Sequence, residues 1–333
     1  MLGNNWPARY VASSINLHIM KQFTSVQDIP DVSSLVQEAL EIKSQPLAFQ
    51  DLGRNKTLGL VFMNPSLRTR LSTQIAAQNL GMQVLVVNAD KDSWAMEFQD
   101  GAVMNGSTVE HIKDAAPVLG SYCDIIGVRC FPGLQSREAD YSEHIMQQFI
   151  RYTGKPYVSL ESATLHPLQS LADCITIQEH RGARRPKVVL AWAPHIKPIP
   201  QPVANSFSEW MLRADVDFVI THPEGYELDP IFTGGATIEY DRQKALKDAD
   251  FVYVKNWSSY RDYGKVLCTD TDWMLTEQHL REAPNARVMH CLPLRRNVEL
   301  SDEILDGPRS LVQQQAANRV FAAQAVLRRF LMK

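Results

Sequence analysis

Short β-branched or apolar runs recur along the chain at Leu58 to Met63, Val84 to Val87, Ile125 to Arg129, Val158 to Leu160, Val188 to Trp192, Phe218 to Thr221, Phe251 to Val254 and Val288 to His290. Between them the apolar positions fall at helical spacing. This alternation predicts a parallel sheet covered by helices, built twice, and therefore an α/β protein of two domains. Leu168 to His180 sets Leu168, Leu171, Ala172, Cys174 and Ile175 on roughly one side, and Gly182 and Pro186 punctuate its end, so a helix bridging the two halves is predicted here. Ala316 to Met332 carries Val320, Ala323, Leu327 and Phe330 at i, i+3, i+7 and i+10, one face to bury, and is expected to dock back on the first domain. Met1 to Ile19 show no period. The expected plan is an extension over 1–19, a first domain over 20–165, a bridging helix over 166–182, a second domain over 183–312 and a returning helix over 313–333. There is no fixed-period repeat and no low-complexity tract.

Composition narrows the function. With 333 residues and 45% hydrophobic content the chain can build a substantial core. Its 34 basic and 37 acidic residues give a net charge of -3, which creates no global field favouring nucleic acid or an anionic membrane and points to a small-molecule partner. The five cysteines are odd in number, scattered and free of any C-x-x-C pair, which suits a reducing cytoplasm and no zinc or redox centre. No apolar run nears the ~20 residues that span a bilayer, and the start lacks a basic segment followed by an apolar one. Neither G-x-x-x-x-G-K-[ST] nor G-x-G-x-x-G occurs, so nucleotide-handling folds of those two kinds are disfavoured.

Three segments carry candidate chemistry. The run Leu58 to Met63 leads into Asn64, Pro65, Ser66, Leu67, Arg68, Thr69 and Arg70, after which Leu71 to Leu80 reads as a helix ended by Gly81. Free N–H groups of a first helical turn, two hydroxyls and two arginines make an anion trap suited to phosphate. Alone, the same residues read rather as a serine cap and two solvated cations. His166, Pro167, Leu168 and Gln169 stand at a strand-to-helix turn, where a ring N–H of His166 can polarise the oxygen of a bound acyl or carbamoyl group. The segment His290 to Asn297 follows a strand of the second half and aims backbone carbonyls at a cleft, although alone Cys291 is a buried thiol and Arg296 a surface charge.

In this order and at these separations, S-x-R-T-R, H-P-x-Q and H-C-L-P resemble the aspartate and ornithine carbamoyltransferase family, over nearly all of the chain after Met20. The resemblance implies two α/β domains, carbamoyl phosphate bound mainly by the first, the amino acid mainly by the second, no metal or organic cofactor, and a cytoplasmic homotrimer with shared sites. It implies catalytic roles for Arg68, Thr69 and His166. Ser66, Leu67 and Arg70 are expected to hold the phosphate with them, and Arg129 and Arg319 to face it. Gln169 and the Cys291 and Leu292 carbonyls would orient the amide, and Trp94 would close the site from a neighbouring chain. Glu161, His195, Lys255, Leu292 and Arg295 match positions that contact the amino acid.

H-C-L-P is lacking in aspartate-using members, so ornithine-type acceptors are implied. The Ser-Met-Gly loop of plain ornithine enzymes is replaced here by Val254, Lys255, Asn256, Trp257, Ser258 and Ser259. Trp94 after Asp92, the Trp192 to His195 stretch and the Lys-Asn-Trp triplet resemble the branch that uses N-acylated ornithine. In the loop Met104 to His111, acetyl-using cousins have a glutamate at the position aligned with Val109. A second carboxylate on a succinyl arm would be repelled by that glutamate and left alone by valine. Val109 therefore favours N-succinylornithine, and the expected reaction forms N-succinylcitrulline and phosphate in arginine biosynthesis. N-acetylornithine, plain ornithine and an inactive scaffolding paralogue are the alternatives, though every phosphate ligand is kept. Val109 also reads as cover for the first turn of a helix capped by Ser107 with Glu110.

Overall fold

The computed structural model describes residues 20–89, 91 and 93–332. The extension over 1–19 lies outside the described residues. Strands β1 (Gln22–Phe23), β2 (Thr57–Phe62), β3 (Gln83–Asn88), β4 (Met96–Glu97), β5 (Glu110–His111), β6 (Ile125–Arg129) and β7 (Tyr157–Glu161) fall in the first half. The second half holds β8 (Lys187–Trp192), β9 (Asp217–Thr221), β10 (Thr237–Ile238), β11 (Phe251–Lys255) and β12 (Arg287–Met289). They form one sheet in the order β1-β7-β6-β2-β3, a second in the order β10-β9-β8-β11-β12, and a small β4-β5 pair. Every pairing is parallel. A parallel sheet covered on both faces needs near-continuous apolar strands, and β2, β7, β8 and β11 are buried at all or all but the first position.

Parallel pairing also gathers the strand ends. The carboxyl ends of β2, β6 and β7 lead to Asn64, Arg129 and Glu161, and those of β8, β11 and β12 to Ala193, Lys255 and His290. Such an edge is where open α/β sheets bind ligands.

The bridging helix runs Pro167–His180, and its residues 167–177 are buried on every side. It is therefore not the one-faced helix that its apolar spacing suggested. It packs against the helix Pro202–Met211 of the second half, the helix Val32–Ser44 of the first, and the C-terminal helix Val312–Leu331. That last helix also packs on Val32–Ser44 and on Leu67–Asn79, so it does return to the first half. It begins four residues before the predicted start.

Two local expectations are corrected. The helix predicted from Leu71 begins at Leu67, and Ser66 Oγ accepts from the Thr69 N–H at 3.4 Å, so the supposed loop is the first helical turn. The expected Ser107/Glu110 cap does not form. Val109 N–H donates to the Ala95 carbonyl at 2.9 Å, drawing Glu110 and His111 into the small sheet. The next helix, Ile112–Tyr122, is capped by His111, whose Nδ1 accepts from the Lys113 N–H at 3.1 Å.

Candidate active site

Between the carboxyl edges of the two sheets lies a cleft of about 660 Å³. Of the seventeen residues expected at the site, fourteen line it; Arg70, Trp94 and Val109 do not.

On the first wall, Arg129 at the end of β6 donates from Nε and Nη2 to Glu161 Oε2 at 3.1 and 2.9 Å. Its Nη1 donates to the Asn64 and Pro65 carbonyls at 3.2 and 2.9 Å, fixing the approach to Ser66. Arg319 reaches in from the C-terminal helix and donates from Nη2 to Thr69 Oγ1 at 2.6 Å. The same Nη2 lies 3.5 Å from His166 Nε2. Burial, with the Arg319 and Arg129 charges, pushes the His166 imidazole well below its ordinary range, so it is neutral at pH 7. Nε2 also lies 3.7 Å from Glu161 Oε2; when Nε2 accepts from Arg319, the ring proton is on Nδ1. That atom, Arg68 Nε, Arg319 Nε and Gln169 Oε1 are buried without a hydrogen-bond partner among the described residues. Buried polar atoms are rarely left so, and a cluster of them marks a place where a polar ligand supplies the missing partners.

The second wall is built on the turn after β12. His290 Nδ1 accepts from the Leu292 N–H at 2.9 Å, so the proton of this neutral ring is on Nε2, facing Glu299 Oε1 at 3.4 Å. Burial lowers the His290 pKa. Burial raises that of Glu299, but His290, the Lys255 charge and the Arg295 N–H outweigh it and hold the carboxyl at about 2. Leu292 adopts a φ of 55°, in the left-handed region, and precedes a cis proline. Arg295 Nε donates to His195 Nε2 at 3.3 Å, and His195 Nδ1 lies 2.8 Å from the Lys197 carbonyl and 3.2 Å from the Lys197 nitrogen. Lys255 Nζ donates to the Asn256 carbonyl at 3.1 Å.

Arg70 is exposed on the outward side of the first turn. Trp94 and Val109 are 53% and 64% exposed on the small sheet, where Trp94 Nε1 donates to Glu110 at 2.7 Å. Sequence reasoning missed Glu299, Lys197 and Phe131, all on the cleft. The clue for Glu299 was a carboxylate set between Val298 and Leu300.

Residues 21–179 match the model of the aspartate/ornithine carbamoyltransferase carbamoyl-P binding domain, and residues 200–330 that of the Asp/Orn binding domain. The chain belongs to the aspartate/ornithine carbamoyltransferase family. This carbamoyltransferase is 52% identical to N-succinylornithine carbamoyltransferase of Bacteroides fragilis (strain 638R) over 94% of its own length and 99% of the relative's. It is 33% identical to N-acetylornithine carbamoyltransferase of Xanthomonas campestris pv. campestris over 92% and 97%. Among solved structures, a glutamate-to-valine mutant of N-acetyl-L-ornithine transcarbamylase complexed with carbamyl phosphate and N-succinyl-L-norvaline is 33% identical, with a TM-score of 0.86 over 92% of this chain and 98% of that one.

Proposed function

We propose that this carbamoyltransferase transfers the carbamoyl group of carbamoyl phosphate to the δ-amine of N-succinyl-L-ornithine, giving N-succinylcitrulline and phosphate. The observation that carries the acyl choice is the charge of the cleft. Its lining holds six cationic side chains, Arg68, Arg129, Lys197, Lys255, Arg295 and Arg319, against two carboxylates, Glu161 and Glu299. Four unbalanced positive charges suit a phosphate dianion and an acceptor with two carboxylates, whereas an N-acetyl acceptor brings one. The substrate of the 52% identical relative supports the same choice. So does N-succinyl-L-norvaline held by a transcarbamylase in which valine replaces a glutamate.

On this reading residues 20–165 hold carbamoyl phosphate and 183–312 the acylornithine, with 166–182 between them and 313–333 returning Arg319 to the first. Ser66, Leu67, Arg129 and the free N–H groups of the first turn hold phosphate, whereas Arg70, expected with them, is exposed and off the cleft. Because Thr69 Oγ1 accepts from Arg319, its own hydrogen is free to point at substrate; with Arg68 and His166 Nδ1–H it meets the carbamoyl oxygen. The neutral δ-amine attacks the carbamoyl carbon, negative charge gathers on that oxygen, the bond from that carbon to the bridging phosphate oxygen breaks, and the amine proton leaves with phosphate. Donors preset around the oxygen stabilise that charge. Lys255 and Arg295 receive the carboxylates of the acceptor, and His195 holds the Arg295 guanidinium in place.

The same reading makes the protein a cytoplasmic homotrimer. Leu67, Leu71 and Ile75 are 69%, 48% and 44% exposed at i, i+4 and i+8 of one helix, an apolar stripe suited to a second copy. Trp94 and Val109, exposed and outside their own cleft, are free to complete a neighbour's. A citrulline-forming assay with N-succinylornithine, N-acetylornithine and ornithine tests the reading. The succinyl compound should give the highest kcat/KM; a higher value for the acetyl compound would sink the acyl assignment.

A further inference from the structure

Asp173 lies in the middle of the bridging helix, fully buried and, among the described residues, without a cation in hydrogen-bond contact. A buried carboxylate is costly, and an apolar side chain of similar size would pack there at less cost, so its retention asks for a reason. Asp173 Oδ1 accepts from Gln169 Nε2 at 2.8 Å and from Gln315 Nε2 at 2.7 Å. Oδ1 accepts from both amides whether the acid is ionised or carries its proton on Oδ2, so both amides turn their NH₂ ends to it and their oxygens away. Gln315 Oε1 then accepts the His290 N–H at 2.9 Å, the peptide that opens the His290 to Pro293 turn. Gln169 Oε1 is left buried, on the cleft, with no partner among the described residues.

We infer that Asp173 is a positioning residue for donor recognition: by fixing which way Gln169 and Gln315 face, it presents an acceptor array to the NH₂ of the carbamoyl group. The inference rests on the carbamoyl phosphate reading of the cleft. A carbamoyl NH₂ has two N–H groups to place, and an acetyl methyl in the same position has none. Gln169 Oε1 comes from one side, and the turn tethered through Gln315 carries the Cys291 and Leu292 carbonyls from the other. One carboxylate thus sets amide selection from both halves of the molecule, without touching substrate.

The test is titration calorimetry with two stable phosphonates, phosphonoacetamide, which keeps the carbamoyl NH₂, and acetonylphosphonate, in which a methyl replaces it. The wild-type protein should bind the amide about tenfold or more tightly than the ketone, because a buried acceptor facing a methyl loses its partner. Asp173→Ala, shown folded by its circular dichroism and thermal melt, should bring the ratio to within about threefold by weakening the amide alone, since the phosphonate contacts remain. Asp173→Asn keeps an acceptor oxygen that the two NH₂ groups select, and should hold the wild-type ratio. A merely structural role would lower affinity for both ligands together. A folded Asp173→Ala that still discriminates, or an Asp173→Asn that does not, overturns the positioning role while leaving the cleft assignment standing; wild-type protein that binds both phosphonates equally removes the amide reading of Gln169 and this inference with it. Should Asp173→Ala fail to fold, Asp173→Asn alone decides between the outcomes.

Discussion

Arg319 Nη2 stands 2.6 Å from Thr69 Oγ1, which ties the last helix of the chain to the first turn of the helix that follows Ser66. Both side chains are buried, and 250 residues separate them. The contact orders the Thr69 hydroxyl and brings a third guanidinium to a wall that already holds Arg68 and Arg129. Lysine cannot reproduce a planar donor that serves Thr69 with one edge and keeps further N–H groups for substrate. Arg319→Lys should therefore lower kcat/KM for carbamoyl phosphate by about tenfold or more, with the far-ultraviolet spectrum unchanged. Steady-state kinetics check this.

On the proposed reading Arg68 meets both phosphate and the developing oxyanion. Its Nε is buried with no partner among the described residues, a donor held ready rather than used in the fold. Removing one oxyanion donor commonly costs ~10² to 10³ in turnover, and the lost charge adds to that. A folded Arg68→Ala should be close to inactive. Near-normal turnover in that variant would remove Arg68 from the mechanism.

Much of this site was legible in the sequence because the carboxyl ends of parallel strands carry it, and such strands announce themselves as unbroken apolar runs. Ile125 to Arg129 is read with the same ends as β6, and Arg129 is its last residue. The first turn after Ser66 was harder: Ser66, Arg68 and Arg70 are polar, which hides the helical period until Leu71. The two-residue strands β4 and β5 are too short to show any period. Asp173 and Glu299 escaped notice for another reason. Their partners, Gln315 and His290, are remote in sequence or across a turn, and a lone acid between apolar neighbours looks like a surface residue until the chain is folded around it.

The buried acids give opposite pH signatures. Burial, opposed by the Gln169 and Gln315 hydrogen bonds, raises the Asp173 carboxyl from 3.8 to about 7. The folded state then holds a proton that the unfolded chain releases, so this contribution is present below pH 3.8 and is lost as pH rises through about 7. Asp173→Asn removes the group without adding charge, and its melting temperature relative to wild type should be higher at pH 8 than at pH 5. Glu299, held at about 2, contributes stability above its ordinary 4.5 that is lost as pH falls towards 2. Paired melts at several pH values read both; a wild-type to Asp173→Asn difference that is flat from pH 5 to 8 would contradict the raised carboxyl.

Trp94 is exposed on the small sheet and lies off its own cleft. If it completes a neighbour's site, Trp94→Ala and Arg68→Ala should each be inactive alone, and mixing the two after subunit exchange should restore part of the activity. Some shared sites then combine two intact surfaces. Verified exchange with no recovery would show that each chain works by itself.

Val109 bears on the acyl group and is tested by one substitution. It is 64% exposed on the small sheet, anchored only through its backbone N–H to Ala95, so its side chain is free to meet an adjoining subunit. In that position valine leaves a succinyl carboxylate undisturbed. Val109→Glu would set a negative charge beside it, and repulsion in a partly desolvated cleft is worth roughly one to three decades in specificity. The acetyl compound has no charge there to repel. The substitution should therefore lower kcat/KM for N-succinylornithine far more than for N-acetylornithine, and an exposed site should carry it without loss of stability. Raising salt should weaken the discrimination in part, since screening acts on the exposed fraction of the interaction. Equal losses on the two substrates would make Val109 a packing residue of a subunit contact, and wild-type preference for N-acetylornithine would remove the succinyl assignment while leaving the carbamoyltransferase itself intact.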